Sequence, residues 1–552
     1  MNRLTHVLWI LSLCTLFLLV AFSLIDYRFD LTTDKRYSLS KSTIELIEKV
    51  EHPLTIDVLL SGKLPSSFLR LRSELNQLLE LIQEKNNLIS INVIEPKWLE
   101  NSQNANLIFQ NLGIQPYFVF EQKRNITNQI TVYPWLVIHH ETSSIPIYLL
   151  ADGKSLTQQD LVIQSIELLE QTLVEGIYQA STKNKKNIAV LKSHDTSNDL
   201  YLTDWLLSLK NYYNIASFDF KAEDVTLEKT FENLKRFELL IISNPKQEFT
   251  VEEKFILDQF TCQGGRIIWL INPLDTNLQN LYQNENGYIP KIKQLALDDL
   301  FFKSQFRIQS QFVGDMYAAP IILASDMNES SQYTPFIYPY FPIITPNKNH
   351  PISIRINDVW QRFSSPIDTL KGKLKKTVLL ASSAYSKLSG YPIILDLKTA
   401  SQTPELESFN QKNIMTGILL EGSFESLYTN RIRPFDIEVF QNNGNSSWLV
   451  ISDGHFGENQ IEKNQPLALG YDKWTNNLYS NKSFLINSVH YLVGLHEILS
   501  LGQKKINLFQ LDLAKIEKNE RLIKVLMVFV PLIIVGVFWG LFQLLTKHPK
   551  KL

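Results

Sequence analysis

Apolar positions recur along this chain in three patterns. The first is uninterrupted: residues 7–25 (VLWILSLCTLFLLVAFSLI) and 525–545 (VLMVFVPLIIVGVFWGLFQLL) hold no charged residue. As helices rising about 1.5 Å per residue, each run would cover roughly 30 Å, the thickness of a bilayer's hydrocarbon core. Both are expected to be transmembrane helices, and Pro531, Gly536, Gly540 and Gln543 are tolerable in the second. Arg3 precedes the first run, Asp26, Asp30 and Asp34 follow it, and Lys547, His548, Lys550 and Lys551 follow the second. Positive charge on the cytoplasmic side then places 1–6 and the basic tail 546–552 inside, with the bulk of the chain outside. The expected localisation is the bacterial inner membrane, with both termini cytoplasmic and a periplasmic ectodomain. A cleaved signal peptide ending near Ala21-Phe22-Ser23 is the alternative, but the run exceeds the roughly 7–15 residues of a signal-peptide core.

The second and third patterns, periods of about 3.6 and of 2, alternate between the runs. Ser38 to Thr43 supply an N-cap for a helix through Ile44, Ile47 and Val50; strands follow at 54–60 and 89–94 around a helix at 67–84. A helix near 100–111 and a hairpin of 130–139 with 145–150 complete a βαβαββ order. Residues 26–150 are therefore expected to form a thioredoxin-like α/β unit, and 151–186 a helical connector ending in a basic linker. From 187 to 500 the order suits a larger, doubly wound, amidotransferase-like α/β domain. Strands are expected at 188–191, 215–220, 238–243, 266–271, 377–381, 414–420 and 447–452, and the near-continuous apolar runs LLII and IIWLI suit parallel strands covered on both faces. An amphipathic stalk helix is expected at 501–524, where Ile506, Phe509, Leu513 and Ile516 alternate with lysines.

Composition narrows the function classes. In 552 residues, 54 Lys plus Arg nearly cancel 56 Asp plus Glu, so no whole-chain field attracts nucleic acid. The two cysteines, Cys14 and Cys262, leave the first α/β unit without a thiol, and with it any Cys-x-x-Cys redox chemistry. Cys262, before Gly264-Gly265, reads as a core thiol at a helix C-terminus. There is no Gly-x-x-x-x-Gly-Lys-Ser/Thr loop, so the chain carries no ATPase phosphate cradle, and no Gly-flanked Ser or Cys elbow for a hydrolase nucleophile. His139 and His140 point to opposite faces of a strand, and no metal or cofactor is expected.

In open α/β sheets ligands bind at the carboxyl ends of strands. His194, Asp275, Asp453 and His455 follow expected strands, and are weak candidates for ligand binding or for acid and base. One Asp or Asn per strand end is also what caps and turns require, so no catalytic residue is assigned. The run YTPFIYPYF at 333–341 reads equally as a recognition surface or as a loop packed on the sheet.

Several segments together carry a family resemblance: 28–40 (RFDLTTDKRYSLS), Gly264-Gly265-Arg266, Asn349-His350-Pro351-Ile352, Ser452-Asp453-Gly454, 481–494 (NKSFLINSVHYLVG) and 506–513 before a Pro-bearing apolar run. In this order the chain resembles the gliding-motility-associated ABC transporter auxiliary, substrate-binding-like membrane proteins (GldG) of Bacteroidetes. The resemblance implies a non-enzymatic subunit partnered with an ABC permease and a cytoplasmic ATPase, with periplasmic cargo or an envelope component as a further partner. It implies no catalytic residue and no defined substrate. The alternatives are a structural tether between membrane and envelope, and an orphan periplasmic hydrolase using Asp453 and His455.

Overall fold

Ser40 starts the first helix. In the computed structural model its side chain accepts from Thr43 N, in extended backbone ahead of α1 (Lys41–Glu48). The structure describes residues 30, 32, 35, 37–95, 112–123, 126–141, 143–151, 157–223, 225–284, 286–327, 330–354, 356–402, 404–501 and 519–546. Strand β1 (Leu54–Val58) buries alternate residues. Helix α2 (Ser66–Lys85) buries Phe68, Leu71, Leu75, Leu79 and Ile82, a stripe at spacings of three and four that faces the sheet. Strand β2 (Ile89–Val93) pairs in parallel with β1, completing a βαβ unit.

Strands β3 (Tyr117–Lys123) and β4 (Ile126–Val132) form a separate hairpin, while β5 (Trp135–His140) and β6 (Ser143–Tyr148) join the first sheet in the order β2-β1-β5-β6. The stretch 130–139, expected as one strand, is therefore two. Pro134 has no N–H for a ladder and marks the break between them. The helix expected at 100–111 lies outside the described residues.

Helix α3 (Gln158–Ser181) links the two halves. Its Glu170 accepts from Ser40 N and from Thr43 Oγ1, both at 2.7 Å, so the start of α1 is held by a side chain far along the chain. One apolar core runs from Leu46 and Ile56 through Leu169 and Leu173 to Ile188, Ile241 and Val489.

Strand β7 (Asn187–Leu191), helix α4 (Asp199–Lys210), strand β8 (Asn214–Phe218), helix α5 (Leu227–Leu234), strand β9 (Leu239–Ser243), helix α6 (Val251–Cys262) and strand β10 (Arg266–Leu270) follow in alternation. Asn198, Thr226 and Thr250 cap the three helices through their side chains, and Thr250 with Glu253 forms a full capping box. The chain next makes a long excursion through short paired strands. These are β11 (Leu274–Asp275), β12 (Lys291–Ile292), β13 (Phe306–Ile308), β14 (Gln311–Asp315), β15 (Ala318–Met327), β16 (Ser330–Ile344), β17 (Val359–Trp360) and β18 (Ile367–Thr369). It re-enters the main sheet at β19 (Lys375–Ala381), returns to β14 through β20 (Ser386–Gly390), and ends in β21 (Met415–Glu425) and β22 (Asn443–Ile451).

The seven-stranded sheet has the order β19-β21-β22-β10-β9-β7-β8. Strands β22, β10, β9, β7 and β8 are parallel, and β21 runs against both β22 and β19. Helix α7 (Asn481–Val493) packs on it, ending at Gly494 with φ 86°, the left-handed turn that favours glycine. The aromatic run at 333–341 is strand rather than loop, and its Tyr338, Tyr340 and Phe341 fill the core of the excursion with Phe312 and Phe363.

The mixed α/β class stands, but the fold class with two flanking transmembrane helices and the bitopic inner-membrane localisation are corrected. Among the described residues no helix is long and apolar enough to cross a membrane. The first expected span, 7–25, lies outside the described residues, as do 502–518 of the expected stalk. The second falls in helix α9 (Glu520–Thr546), which carries Pro531 in its interior. A helix satisfies its own backbone in any surroundings, so an apolar run that proves helical does not thereby establish a span. Helix α8 (His496–Leu501) folds back instead onto α1, with Lys49 and Glu497 paired at 2.9 Å and the hydroxyls of Ser42 and Ser500 in contact.

Candidate functional site

The chain runs from β7 outward to β8 and then crosses to β9 on the other side of β7. The strand order reverses there, and side chains at the carboxyl ends of β7, β9, β10 and β22 converge as such a reversal dictates. Asn244 follows β9 with φ 52°, Asn272 closely follows β10, and Ser452-Asp453-Gly454-His455 follow β22.

Lys293, brought in by the segment after β12, donates from Nζ to Asn244 Oδ1 at 2.7 Å and to Asn272 Oδ1 at 2.9 Å. Burial pushes its amine down to about 8, against the opposing pull of Asp275. A Cβ on Gly454 would lie 2.4 Å from Asn244 Oδ1 and 3.0 Å from Asn272 Oδ1, so any other residue here would push these two amides out of place.

Asp453 is fully buried, and its carboxylate accepts from Arg362 N and His455 N, each at 2.8 Å. Burial pushes its pKa up, while the charges of His455 and Arg362 act the other way. The His455 ring turns away from Asp453. Its Nδ1 lies 2.7 Å from Glu458 Oε2 and its Nε2 lies 2.9 Å from the carbonyl of Thr276. Thr276 Oγ1, which accepts from Asn272 Nδ2, lies 3.2 Å from the same Nε2, so both ring nitrogens are engaged by protein partners.

Glu458 also accepts from Ser197 Oγ at 2.6 Å and from Asn244 Nδ2 at 3.3 Å. Burial opposes its charge, yet His455, Arg362 and Ser197 hold it well below the usual carboxylate range. Arg362 Nη2 donates to the carbonyls of His455 at 2.6 Å and Glu458 at 3.0 Å, and its guanidinium lies over the Trp360 ring at 5.1 Å.

Of the four sequence candidates, the structure brings Asp453 and His455 into this network and Asp275 to its rim. Asp275 is exposed, pairs with Lys291 across β11 and β12, and bears on the cluster through its field on Lys293. His194 stands apart. Its ring is buried and stacks on Phe249 at 3.9 Å, with Nε2 3.0 Å from Glu253 Oε2 and Nδ1 3.0 Å from Ser193 Oγ. Since Glu253 also closes the capping box of α6, His194 extends a helix cap.

Sequence reasoning missed Glu458, Arg362 and Lys293. Glu458 had a signal, a carboxylate three positions after a strand-end histidine. Arg362 and Lys293 had none, because they reach the sheet from the excursion. Among the described residues no group of three or more His, Cys, Asp or Glu side chains is placed to hold a metal ion.

The model of the ABC-type uncharacterized transport system family matches residues 185–488, more than half of the chain, and a domain family of unknown function matches residues 33–139. No curated protein matches. Among solved structures, the N-terminal domain of mmIFT52 is 12% identical with a TM-score of 0.32, over 56% of this chain and 97% of that one. A thua-like protein from Parabacteroides merdae is 8% identical with a TM-score of 0.27, over 56% of this chain and 90% of that one. Both scores are too low to support an argument about fold or function.

Proposed function

The chain belongs to the ABC-type uncharacterized transport system family, and from that premise we propose that it is a non-enzymatic auxiliary subunit. In this reading it associates with the permease and the cytoplasmic ATPase of an ABC system, one that serves gliding motility. The observation that carries the non-enzymatic part is the state of the strand-end crevice. The place where an open α/β sheet receives a ligand is filled by the chain's own Lys293, Arg362, His455 and Glu458, each committed to protein partners. The Asp453 and His455 side chains, which a hydrolase would need in contact, each bond elsewhere.

Affinity purification of the tagged full chain from solubilised cells tests the partnership. Co-isolation of a permease and a P-loop ATPase is the expected result, and their absence would overturn it. The non-enzymatic reading is tested apart, by assaying purified Asp453→Asn for hydrolysis of a broad ester and amide panel. Any turnover by the native chain that this variant abolishes would sink it.

A further inference from the structure

Far from the strand-end cluster, a hydroxyl, an imidazole and a carboxylate are joined on the first sheet, on the face opposite Ile56 and Ile138. His139 on β5 has Nε2 2.9 Å from Asp57 Oδ2 on β1 and Nδ1 2.8 Å from Ser144 Oγ on β6. The pleat brings them together: His139 lies opposite both Thr55 and Ser144, and Asp57 is two residues along β1 from Thr55, on the same face. Asn92 on β2 donates from Nδ2 to the other oxygen of Asp57 at 3.1 Å and so fixes the carboxylate. Ser144 is exposed, and the side chains of His139 and Asp57 are 37% and 18% exposed, so a reagent in solution can reach the hydroxyl.

The bond directions follow from the groups. An ionised carboxylate only accepts, so Nε2 donates to Asp57; the neutral ring then keeps its lone pair on Nδ1, where Ser144 Oγ donates. A serine with a base on its proton and a carboxylate orienting that base is an activated nucleophile.

The backbone adds a donor. Leu149 N donates to Pro134 O at 2.9 Å, so 134 and 149 form a hydrogen-bonded pair. Bonded and non-bonded pairs alternate along an antiparallel ladder, which makes His139 and Ser144 a non-bonded pair. Their side chains therefore sit close, and Ser144 N–H points away from β5. Since β6 is the terminal strand of its sheet, no strand among the described residues takes that N–H, and it is free to donate to an oxygen gaining charge beside Oγ. Pro146, which has no N–H, occupies the same outward-facing set.

We propose that Ser144 is an acyl-acceptor site, whose hydroxyl takes an acyl group from an activated ester or thioester. Oγ attacks the carbonyl carbon and its proton passes to His139 Nδ1. The bond to the leaving oxygen or sulfur then breaks, and that atom receives the proton. Asp57 is a positioning residue and touches no reacting atom. The site takes one group per chain, with no turnover, and so stands apart from the reading of the chain as a non-enzymatic subunit.

A fluorophosphonate, which phosphonylates activated serines with loss of fluoride, tests this on the full chain, read by intact mass and peptide mapping. One adduct per chain on Ser144 is expected, formed at a rate that rises with pH through a single titration. His139→Ala should slow it about a hundredfold and abolish that titration, and Asp57→Asn, which keeps the shape, should slow it about tenfold or more. Ser143→Ala, on the opposite face, should leave the rate unchanged. Thermal midpoints of the variants separate lost reactivity from a lost fold. No adduct on Ser144, adducts spread over other serines, or an unchanged rate in folded His139→Ala or Asp57→Asn would overturn the proposal.

Discussion

His194 meets Glu253 at 3.0 Å and His455 meets Glu458 at 2.7 Å, both near the carboxyl ends of parallel strands of one sheet. The first pair is local in its effect: the ring stacks on Phe249, and the carboxylate serves the start of α6. The second pair ties distant segments, with Thr276 and Arg362 from the excursion, Ser197 from the turn before α4 and Asn244 from the end of β9 all converging on it. The same two side-chain types thus cap a helix in one place and lock an excursion to its sheet in the other. What differs is the number of segments whose polar groups depend on the pair.

The sharpest way to break this comparison is Arg362→Ala. It removes the donor to the carbonyls of His455 and Glu458 and the guanidinium charge beside Glu458, and should cost roughly 3–5 kcal/mol in denaturant unfolding. A cost under about 1 kcal/mol would show that the cluster ties nothing together.

His455→Ala and His194→Ala compare the pairs directly. Loss of His455 leaves Glu458 buried without the ring that bonds it at 2.7 Å and should cost about 2–4 kcal/mol. Loss of His194 leaves Glu253 its bond from Thr250 N and should cost about half as much. Equal costs would erase the distinction.

Gly454→Ala is expected to cost roughly 1–3 kcal/mol by forcing Asn244 and Asn272 off Lys293. Asn244→Ala in the same background should recover part of that loss if the clash is the cause.

The last effect is a pH slope. The folded amine of Lys293 sits at about 8 against an ordinary 10.5, so between these values the unfolded chain binds the proton that the folded chain has released. Stability contributed by this group therefore rises with pH across that window, by at most about 1.4 kcal/mol per unit. Lys293→Met should flatten the slope, measured as the difference in unfolding free energy between native and variant from pH 8 to 10. Identical slopes would mean that the amine is not held as the structure shows.

Much of the local fold was legible because its causes are local. Alternation marked β1 and β2, a three-and-four stripe marked α2, and Ser40 announced the cap of α1 through its own side chain. The strand ends at 243, 270 and 451 could be read from apolar runs that stop at Asn or Ser-Asp. The break at Pro134 was missed because the apolar residues on either side share one alternation. The strand through Tyr338 was missed because prolines within an aromatic run look like loop, and only the partner strand β15 settles the matter. For the apolar run at 525–545, hydropathy argued for a bilayer span, whereas the structure bears out only the helix.

The candidate site divides in the same way. Asp453 and His455 could be named from the sequence because a strand end is a local event. Lys293 and Arg362 could not, since each lies many residues from the groups it bonds and the excursion that delivers them has no regular period. By itself the sequence determined the elements, their caps and the order in which they alternate, all consequences of interactions within a few residues. The tertiary structure alone decided which way His455 points, which cations occupy the crevice and which polar groups stay unpaired, because those depend on desolvation and on partners that only the folded chain brings together.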